Sequence, residues 1–114
     1  MGKKENQANE FRTSLEECWN ALNEAYWAST TNEAKDAITG CSDFISDLID
    51  VMYVQEFASR TAQFNNLAEK IEVGNKKLKE LKKKIASLIH KIQAITNVIS
   101  TIEKVMKFLP LLPL

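Results

Sequence analysis

Apolar residues recur at alternating steps of three and four through the last third of the chain. The series is Leu78, Leu81, Ile85, Leu88, Ile92, Ile95, Ile99, Ile102, Met106 and Leu109. This spacing is typical of a coiled-coil seam, and none of its positions is polar. A lone helix with such a stripe would expose a long apolar surface to water. The stripe must therefore be covered by the rest of the chain or by another molecule.

Residues that form turns are scarce in this sequence. The 114 residues include three Gly and two Pro, and both Pro lie in the last five positions. A β-protein of this length needs more turns than that, so the composition predicts few, long helices. The length suits one domain with a single core.

The first half of the chain predicts two antiparallel helices. The apolar face of the first helix carries Phe11, Leu15, Cys18, Trp19, Leu22, Ala25 and Tyr26. The stretch Thr30-Thr31-Asn32-Glu33 then has the spacing of a capping box, with Thr30 as the cap of the second helix and Glu33 reaching back. Because the link between the two helices is so short, they must lie antiparallel.

Two places compete for the end of the second helix. At Gly74-Asn75, glycine suits the left-handed residue that closes a helix, and asparagine suits the next cap. A break near residue 60 would instead leave the most apolar part of the third helix overhanging the shorter helices. A turn at Gly74 folds that part back and buries more apolar area. The turn at Gly74 is therefore preferred, although the heptad phase from Phe64 to Leu81 runs unbroken through it.

The predicted fold is all-α, a three-helix antiparallel bundle whose second and third helices extend as a coiled-coil hairpin. The predicted single helical domain covers residues 1–114. Its helices span about 5–29, 32–73 and 76–108, followed by an apolar tail over 109–114. Ile99 and Ile102 are predicted to lie deep in the core. The tail is expected to fold over the end of the bundle or to touch a membrane.

Aromatic residues are spread through the predicted bundle and are expected to pack mainly in its core. The set is Phe11, Trp19, Tyr26, Trp27, Phe44, Tyr53, Phe57, Phe64 and Phe108. Trp27 is the exception, because it falls outside the apolar stripe of the first helix. It is expected either to cover the end of the bundle or to be exposed for a partner.

The formal net charge is zero, but the two halves of the chain differ. Residues 1–60 hold five basic and eleven acidic residues, a net charge of −6, whereas residues 61–114 hold ten basic and four acidic residues, a net charge of +6. Neutralisation inside one bundle explains this layout without a partner. Attraction of an outside partner is the alternative.

Residues 76–84 are the most basic stretch, with six lysines in nine positions. The candidate partner-binding residues are Trp27, Lys76, Lys77, Leu78, Lys79, Leu81, Lys82, Lys83 and Lys84. A solvated helix face is the simplest explanation of the lysines. An acidic protein surface and an anionic membrane are the alternatives, and nucleic acid is not expected, because no arginine or aromatic residue interrupts the run.

No arrangement of residues indicates catalysis, and no cofactor or metal site is expected. His90 is the single histidine, and the two cysteines do not form a Cys-x-x-Cys pair. Cys18 and Cys41 fall at the same level of the predicted hairpin, on core faces. They are expected to be neighbouring reduced thiols, with a disulfide as the alternative in an oxidising compartment.

These patterns favour a non-enzymatic helical module that binds proteins. It is expected to bind a protein partner or to self-associate through the long hairpin, where Leu67, Ile71, Leu78 and Leu81 would leave an apolar edge. Immunity, antitoxin and chaperone-type binders fit by analogy of size and class alone.

The alternative is a membrane-active helical protein, either a pore-forming component or a peripheral binder, that uses the amphipathic third helix. Neither an export signal nor an apolar run of spanning length is visible in the sequence. A cytoplasmic location is therefore expected, with peripheral membrane association as the alternative.

Overall fold

The described residues of the chain form five α-helices and one short 3₁₀ turn. A computed structural model describes residues 3–54 and 57–111. The elements are α1 (Lys3–Ala28), α2 (Asn32–Met52), α3 (Phe57–Asn66), α4 (Ala68–Leu88), α5 (Ile92–Phe108) and a 3₁₀ turn (Leu109–Leu111). The all-α prediction is confirmed. The last residues of the predicted tail, 112–114, lie outside the described residues.

Four long helices form the four edges of a bundle. Helix α1 packs against α2 and α5, and α4 packs against the same two helices. The short helix α3 connects α2 to α4 and contacts both. A ring formed by α1, α2, α4 and α5 therefore replaces the predicted three-helix bundle.

Neighbouring helices in this ring run antiparallel. Near one end of the bundle, the Lys35 ammonium lies 5.6 Å from the Tyr26 ring. Near the other end, Tyr53 of α2 reaches back to Glu16 of α1. Phe11 near the start of α1 likewise meets Phe108 at the end of α5, with ring centroids 5.5 Å apart. Helix α1 therefore runs antiparallel to both α2 and α5.

The predicted turn at Gly74-Asn75 is wrong. Helix α4 continues through both residues, and no glycine in the described chain has a positive φ. A Cβ atom built on Gly74 would collide with the ring of Phe44 in α2. Gly74 is needed because an aromatic ring packs directly on the helix backbone, so close approach, rather than a left-handed conformation, explains the glycine.

Helix α2 ends at Met52, where the sequence predicts a helix that continues to residue 73. The Tyr53 amide donates to the carbonyls of Ile49 and Asp50, and the Val54 amide donates to the carbonyl of Val51. The side chain of Arg60 donates from Nε to the Val54 carbonyl at 3.1 Å. Hydrogen bonds, rather than a glycine or a proline, thus close α2.

The turn between α4 and α5, at residues 89–91, divides the predicted seam. Ile89 is extended, with φ −134° and ψ 164°, and α5 starts at Ile92. This turn resets the helical phase, so the core face of α5 is Ala94, Val98, Thr101, Ile102 and Val105. Ile92 is 78% exposed as a result. The predicted helices 32–73 and 76–108 are therefore each interrupted, and the structure does not confirm the coiled-coil hairpin.

The core is continuous through the bundle and draws on every long helix. Among its fully buried side chains are Leu15, Leu22, Ile38, Ile45, Leu48, Leu78, Ile85 and Ile102. Ile102 is buried as predicted, but Ile99 is only half-buried, because the reset phase turns it towards the rim of α5.

The turn between α1 and α2 falls where the sequence predicts it, but the cap is one residue later. Thr31, with φ −122° and ψ 153°, is the N-cap of α2. Its Oγ1 accepts a hydrogen bond from the Ala34 amide at 3.1 Å. The prediction of Thr30 as the cap is therefore wrong. The capping-box spacing fits Thr30 with Glu33, but the helix begins one residue later, so the hydroxyl of Thr31 caps it instead.

Candidate functional site

The aromatic residues divide into an interior set and an exposed set. Phe11, Phe44 and Phe64 are buried, and Phe108 packs partly against the core. Trp27, Tyr53 and Trp19 are 77%, 60% and 40% exposed, and Tyr26 is half-buried. The prediction that the aromatic set packs mainly in the core is wrong for Trp19 and Tyr53, whereas Trp27 takes the exposed one of its two expected positions. The Phe57 side chain lies outside the described part of the structure.

The exposed aromatic residues lie along one side of the α1–α2 pair. Arg12, Glu16, Trp19 and Tyr26 follow one another in α1 at intervals of four, three and seven residues. This spacing places them on one face of the helix. Because Arg12 and Glu16 contact Tyr53 of α2, and Tyr26 contacts Lys35 of α2, this face borders α2. We define the aromatic flank as Arg12, Trp19, Tyr26, Trp27 and Tyr53.

Hydrogen bonding and charge fix the end of the flank near Tyr53. The Tyr53 hydroxyl donates to Glu16 Oε1 at 2.7 Å. The Arg12 guanidinium lies 5.5 Å from the centre of the Tyr53 ring, within cation–π range. The hydrogen bond to Glu16, followed by the Glu16 charge, raises the pKa of Tyr53, which Arg12 opposes. The ring therefore stays neutral and held in place while most of its surface remains in water.

The opposite end of the flank presents Trp27. The Trp27 ring meets the Tyr26 ring edge-to-face, with centroids 5.5 Å apart and an interplanar angle of 88°. Trp27 therefore contacts the flank residue Tyr26 while it remains 77% exposed. Exposed Trp and Tyr beside Arg is the composition found in the energetic centres of protein interfaces.

The predicted lysine stretch is split between the surface and the core. Lys76, Lys77, Lys79, Lys83 and Lys84 are exposed and Lys82 is partly exposed. Leu78 and Leu81, at 0% and 2% exposure, belong to the core. The prediction that these two leucines form an exposed apolar edge for a partner is therefore wrong, because the chain covers them itself.

Ion pairs account for part of the lysine face. Lys76 pairs with Glu72 at 3.8 Å and Lys84 pairs with Glu80 at 3.2 Å, both within α4. Lys82 pairs with Glu103 of α5 at 3.7 Å. All of these groups are largely exposed, so each pair stabilises the fold little. This layout is that of a solvated helix face.

The two cysteines are buried, free thiols at the α1–α2 contact. Burial raises the pKa of Cys18 to about 11, which a hydrogen bond with Thr101 partly opposes. Burial, followed by the neighbouring Cys18, raises the pKa of Cys41 to about 12 against the opposing charge of Lys77. Thiols held neutral in this way are poor nucleophiles at physiological pH.

The clefts on the surface are shallow. One cleft, of about 490 Å³, lies between α1 and α5 and is lined by Asn9, Glu10, Thr13, Ser14, Glu17, Lys104, Lys107 and Phe108. A salt bridge of 3.6 Å between Lys104 and Glu17 crosses it. His90 is exposed in the α4–α5 turn. Among residues 3–54 and 57–111, no three His, Cys, Asp or Glu side chains gather as a metal ion requires.

No helix in the described part of the chain combines the length and the apolar character needed to cross a bilayer. The apolar face of the predicted third helix, the basis of the membrane alternative, is turned into the core at Leu78, Ile85 and Ile102. Comparison of the chain with protein-family models, with curated proteins and with solved structures found no match.

Sequence reasoning singled out Trp27 but assigned Trp19 and Tyr53 to the core. A signal for the flank is present in the sequence. Arg12, Trp19 and Tyr26 are spaced by seven residues, and the polar Glu16 and Asn23 lie on the same face. An aromatic residue surrounded by such polar positions belongs to a helix surface rather than to a core face.

Proposed function

We propose that this chain is a non-enzymatic module that binds another protein, and that the aromatic flank is its binding surface. The observation that carries the proposal is the exposure of Trp27, Tyr53 and Trp19 along one helix pair. Both tryptophans and both tyrosines of the chain belong to this flank, whereas the described phenylalanines are buried or partly buried.

The exposed area of the flank is large enough to matter for binding. A fully buried Trp or Tyr contributes about 150–250 Å². At their exposed fractions, Trp27, Tyr53 and Trp19 together offer on the order of 350 Å². A standard interface buries roughly 800 Å² on each partner, so these three side chains could supply nearly half of one.

Preorganisation also favours binding at this flank. Arg12 and Glu16 hold Tyr53, and Tyr26 packs against Trp27. Binding a partner would therefore cost these rings less conformational entropy than it would cost freely rotating side chains. The lysine face of α4 offers no comparable anchor, because its leucines are buried.

A photo-crosslinking amino acid placed at residue 27 tests the proposal, with the same group at residue 92 as the matched control. Trp27 and Ile92 are 77% and 78% exposed. In extracts of the source cells, we expect a discrete protein adduct from position 27 only. Adding Trp19→Ala and Tyr53→Ala to the protein that carries the crosslinker at position 27 should abolish the adduct. Equal labelling from both positions, or no adduct at all, would contradict the proposal.

A further inference from the structure

Resting on the proposed function, we infer that the partner at the aromatic flank is a second copy of this chain. The contact is isologous, with a twofold axis crossing α1 near Trp19. Trp27 of each protomer then lies against the Arg12–Tyr53 pair of the other.

The spacing along α1 supplies the symmetry. Arg12 precedes Trp19 by seven residues, and Trp27 follows it by eight. At 1.5 Å of rise per residue, these separations are about 10 and 12 Å along the helix axis. A twofold axis perpendicular to α1 at Trp19 therefore exchanges the two ends of the flank, as an isologous contact requires.

The two ends that meet under this symmetry are chemically complementary. One end presents the Trp27 ring, of which 77% is exposed. The other presents the Arg12 guanidinium, already aligned over the Tyr53 ring. Tryptophan is the best aromatic partner for a cation, so a guanidinium between Tyr53 and the Trp27 ring of the second protomer would contact aromatic faces on both sides.

Charge permits two copies to approach each other at this flank. Its charged groups are Arg12, Glu16 and the neighbouring Lys35, a net charge of only +1. The outer face of α2 is different, because Asp36, Asp43, Asp47 and Asp50 are all exposed there. A twofold contact that paired this acidic face with itself would be opposed by like charges, whereas the aromatic flank meets its own copy with little repulsion.

The aromatic area would form the centre of this contact rather than the whole of it. Each protomer contributes Trp and Tyr surface on the order of 350 Å², and the rest of a standard face of roughly 800 Å² would come from the polar residues around it. Trp19, at 40% exposure, would pack against its own copy at the axis. The aromatic residues then form the centre of the interface and the polar residues of α1 and α2 form its rim.

Sedimentation equilibrium of the purified protein up to about 100 μM tests the inference. We expect a dimer whose dissociation constant rises at least about tenfold in Trp27→Ala and in Arg12→Ala, as for interface hot spots. Ile92→Ala, an equally exposed site on α5, should dissociate like the unmodified protein. A strict monomer, or a dimer indifferent to both flank variants, would overturn the inference.

Disulfide trapping tests the register of the dimer while leaving the aromatic residues intact. The proposed axis brings residue 16 of one protomer near residue 23 of the other. A mixture of Glu16→Cys and Asn23→Cys proteins should form a covalent heterodimer under mild oxidation. A mixture of Glu16→Cys and Glu24→Cys should not, because residue 24 lies on the other side of α1. Equal trapping in the two mixtures would contradict the proposed register.

The outcomes separate this inference from the proposed function. A monomeric protein that still gives a position-27 adduct with a different protein would overturn the second copy and leave the flank as a binding surface. A monomer without any adduct would overturn both.

Discussion

The inner and outer faces of the α1–α2 pair carry different kinds of side chain. On the inner face, Leu15, Cys18, Ile38 and Cys41 are at most 1% exposed. On the outer flank of the same helix pair, Trp27 keeps 77% of its surface in water. The inner side chains are aliphatic residues, phenylalanines and neutral thiols, whereas the aromatic rings of the outer flank each carry a polar atom.

This difference indicates that one helix pair serves two purposes. Apolar area removed from water stabilises the fold, and the inner face supplies it. Trp27 and Tyr53 on the outer flank remain mostly in water, so they should add less to folding than the inner side chains and keep their exposed area for a partner. Substitutions on the inner face should therefore change the free energy of unfolding, and those on the outer flank should change association.

The largest expected effect is the loss of Phe44 from the inner face of α2. Phe44→Ala should lower the free energy of unfolding by about 3–5 kcal/mol, because it empties a buried aromatic site against Gly74. Tyr53→Ala, at the C-cap of the same helix, should leave the urea midpoint close to that of the unmodified protein when both are measured at low concentration, where the protein is monomeric. An equal decrease of the urea midpoint in both variants would contradict the claim that the inner face stabilises the fold more than the outer flank does.

Alkaline pH should lower the free energy of unfolding through the two buried thiols of the inner face. The folded pKa values of about 11 for Cys18 and about 12 for Cys41 lie above the ordinary value of 9.0. Their contribution to stability is therefore complete below pH 9 and is lost as pH rises through the folded values. Between those limits, each thiol should reduce the free energy of unfolding by about 1.4 kcal/mol per pH unit.

Removing one thiol isolates this effect from the titration of lysines. Cys41→Ala should flatten the decline in unfolding free energy near pH 10 by about 1.4 kcal/mol per pH unit, whatever its effect at neutral pH. Urea denaturation at a series of pH values measures the slope. An unchanged slope would mean that Cys41 is not a buried neutral thiol.

Gly40 of α2 and Gly74 of α4 lie where these two helices meet. Replacing each with Ala should change the free energy of unfolding in opposite directions. Gly74→Ala gains helix propensity of about 1 kcal/mol but forces a methyl group into the Phe44 ring, so a net loss of about 1–2 kcal/mol is expected. Gly40→Ala meets only the Lys77 side chain at 3.7 Å, an ordinary contact, and should gain about 0.5–1 kcal/mol. Chemical denaturation of both variants measures the signs.

A second-site change checks the cause of the Gly74 effect. Phe44→Leu shrinks the opposing side chain, so adding Gly74→Ala in that background should cost less than it does in the unmodified protein. An identical cost in both backgrounds would show that Phe44 is not the group that the new methyl meets.

The helical class and the α1–α2 turn could be predicted, but the breaks in the second half could not. Glycine serves both turns and close packing, and the sequence around Gly74 does not distinguish the two uses. The actual breaks contain Tyr53-Val54 and Ile89-His90-Lys91, which carry no turn signal. A single turn between two long helices was predicted, whereas the described chain breaks after Met52, at Leu67 and again at residues 89–91, and both Leu78 and Ile102 are buried.

The sequence signals for the aromatic flank conflict. Trp19 and Tyr26 border the apolar stripe of α1, which indicates a core position, while the polar Glu16 and Asn23 on the same face indicate a surface. Their exposure depends on which side of α1 the helix α2 occupies, a tertiary property. Trp27 was recognisable because it falls opposite that stripe, and its exposure confirms the more open of its two expected positions.

The most direct test of the separation between folding and binding is urea denaturation of Trp27→Ala over a series of protein concentrations. The unmodified protein should show a midpoint that rises with concentration, because association stabilises the folded state by mass action. Trp27→Ala should show a midpoint that does not depend on concentration. Its free energy of unfolding should match that of the unmodified protein at the lowest concentration within about 0.5 kcal/mol. A variant midpoint lowered by the same amount at every concentration would instead make Trp27 a structural residue.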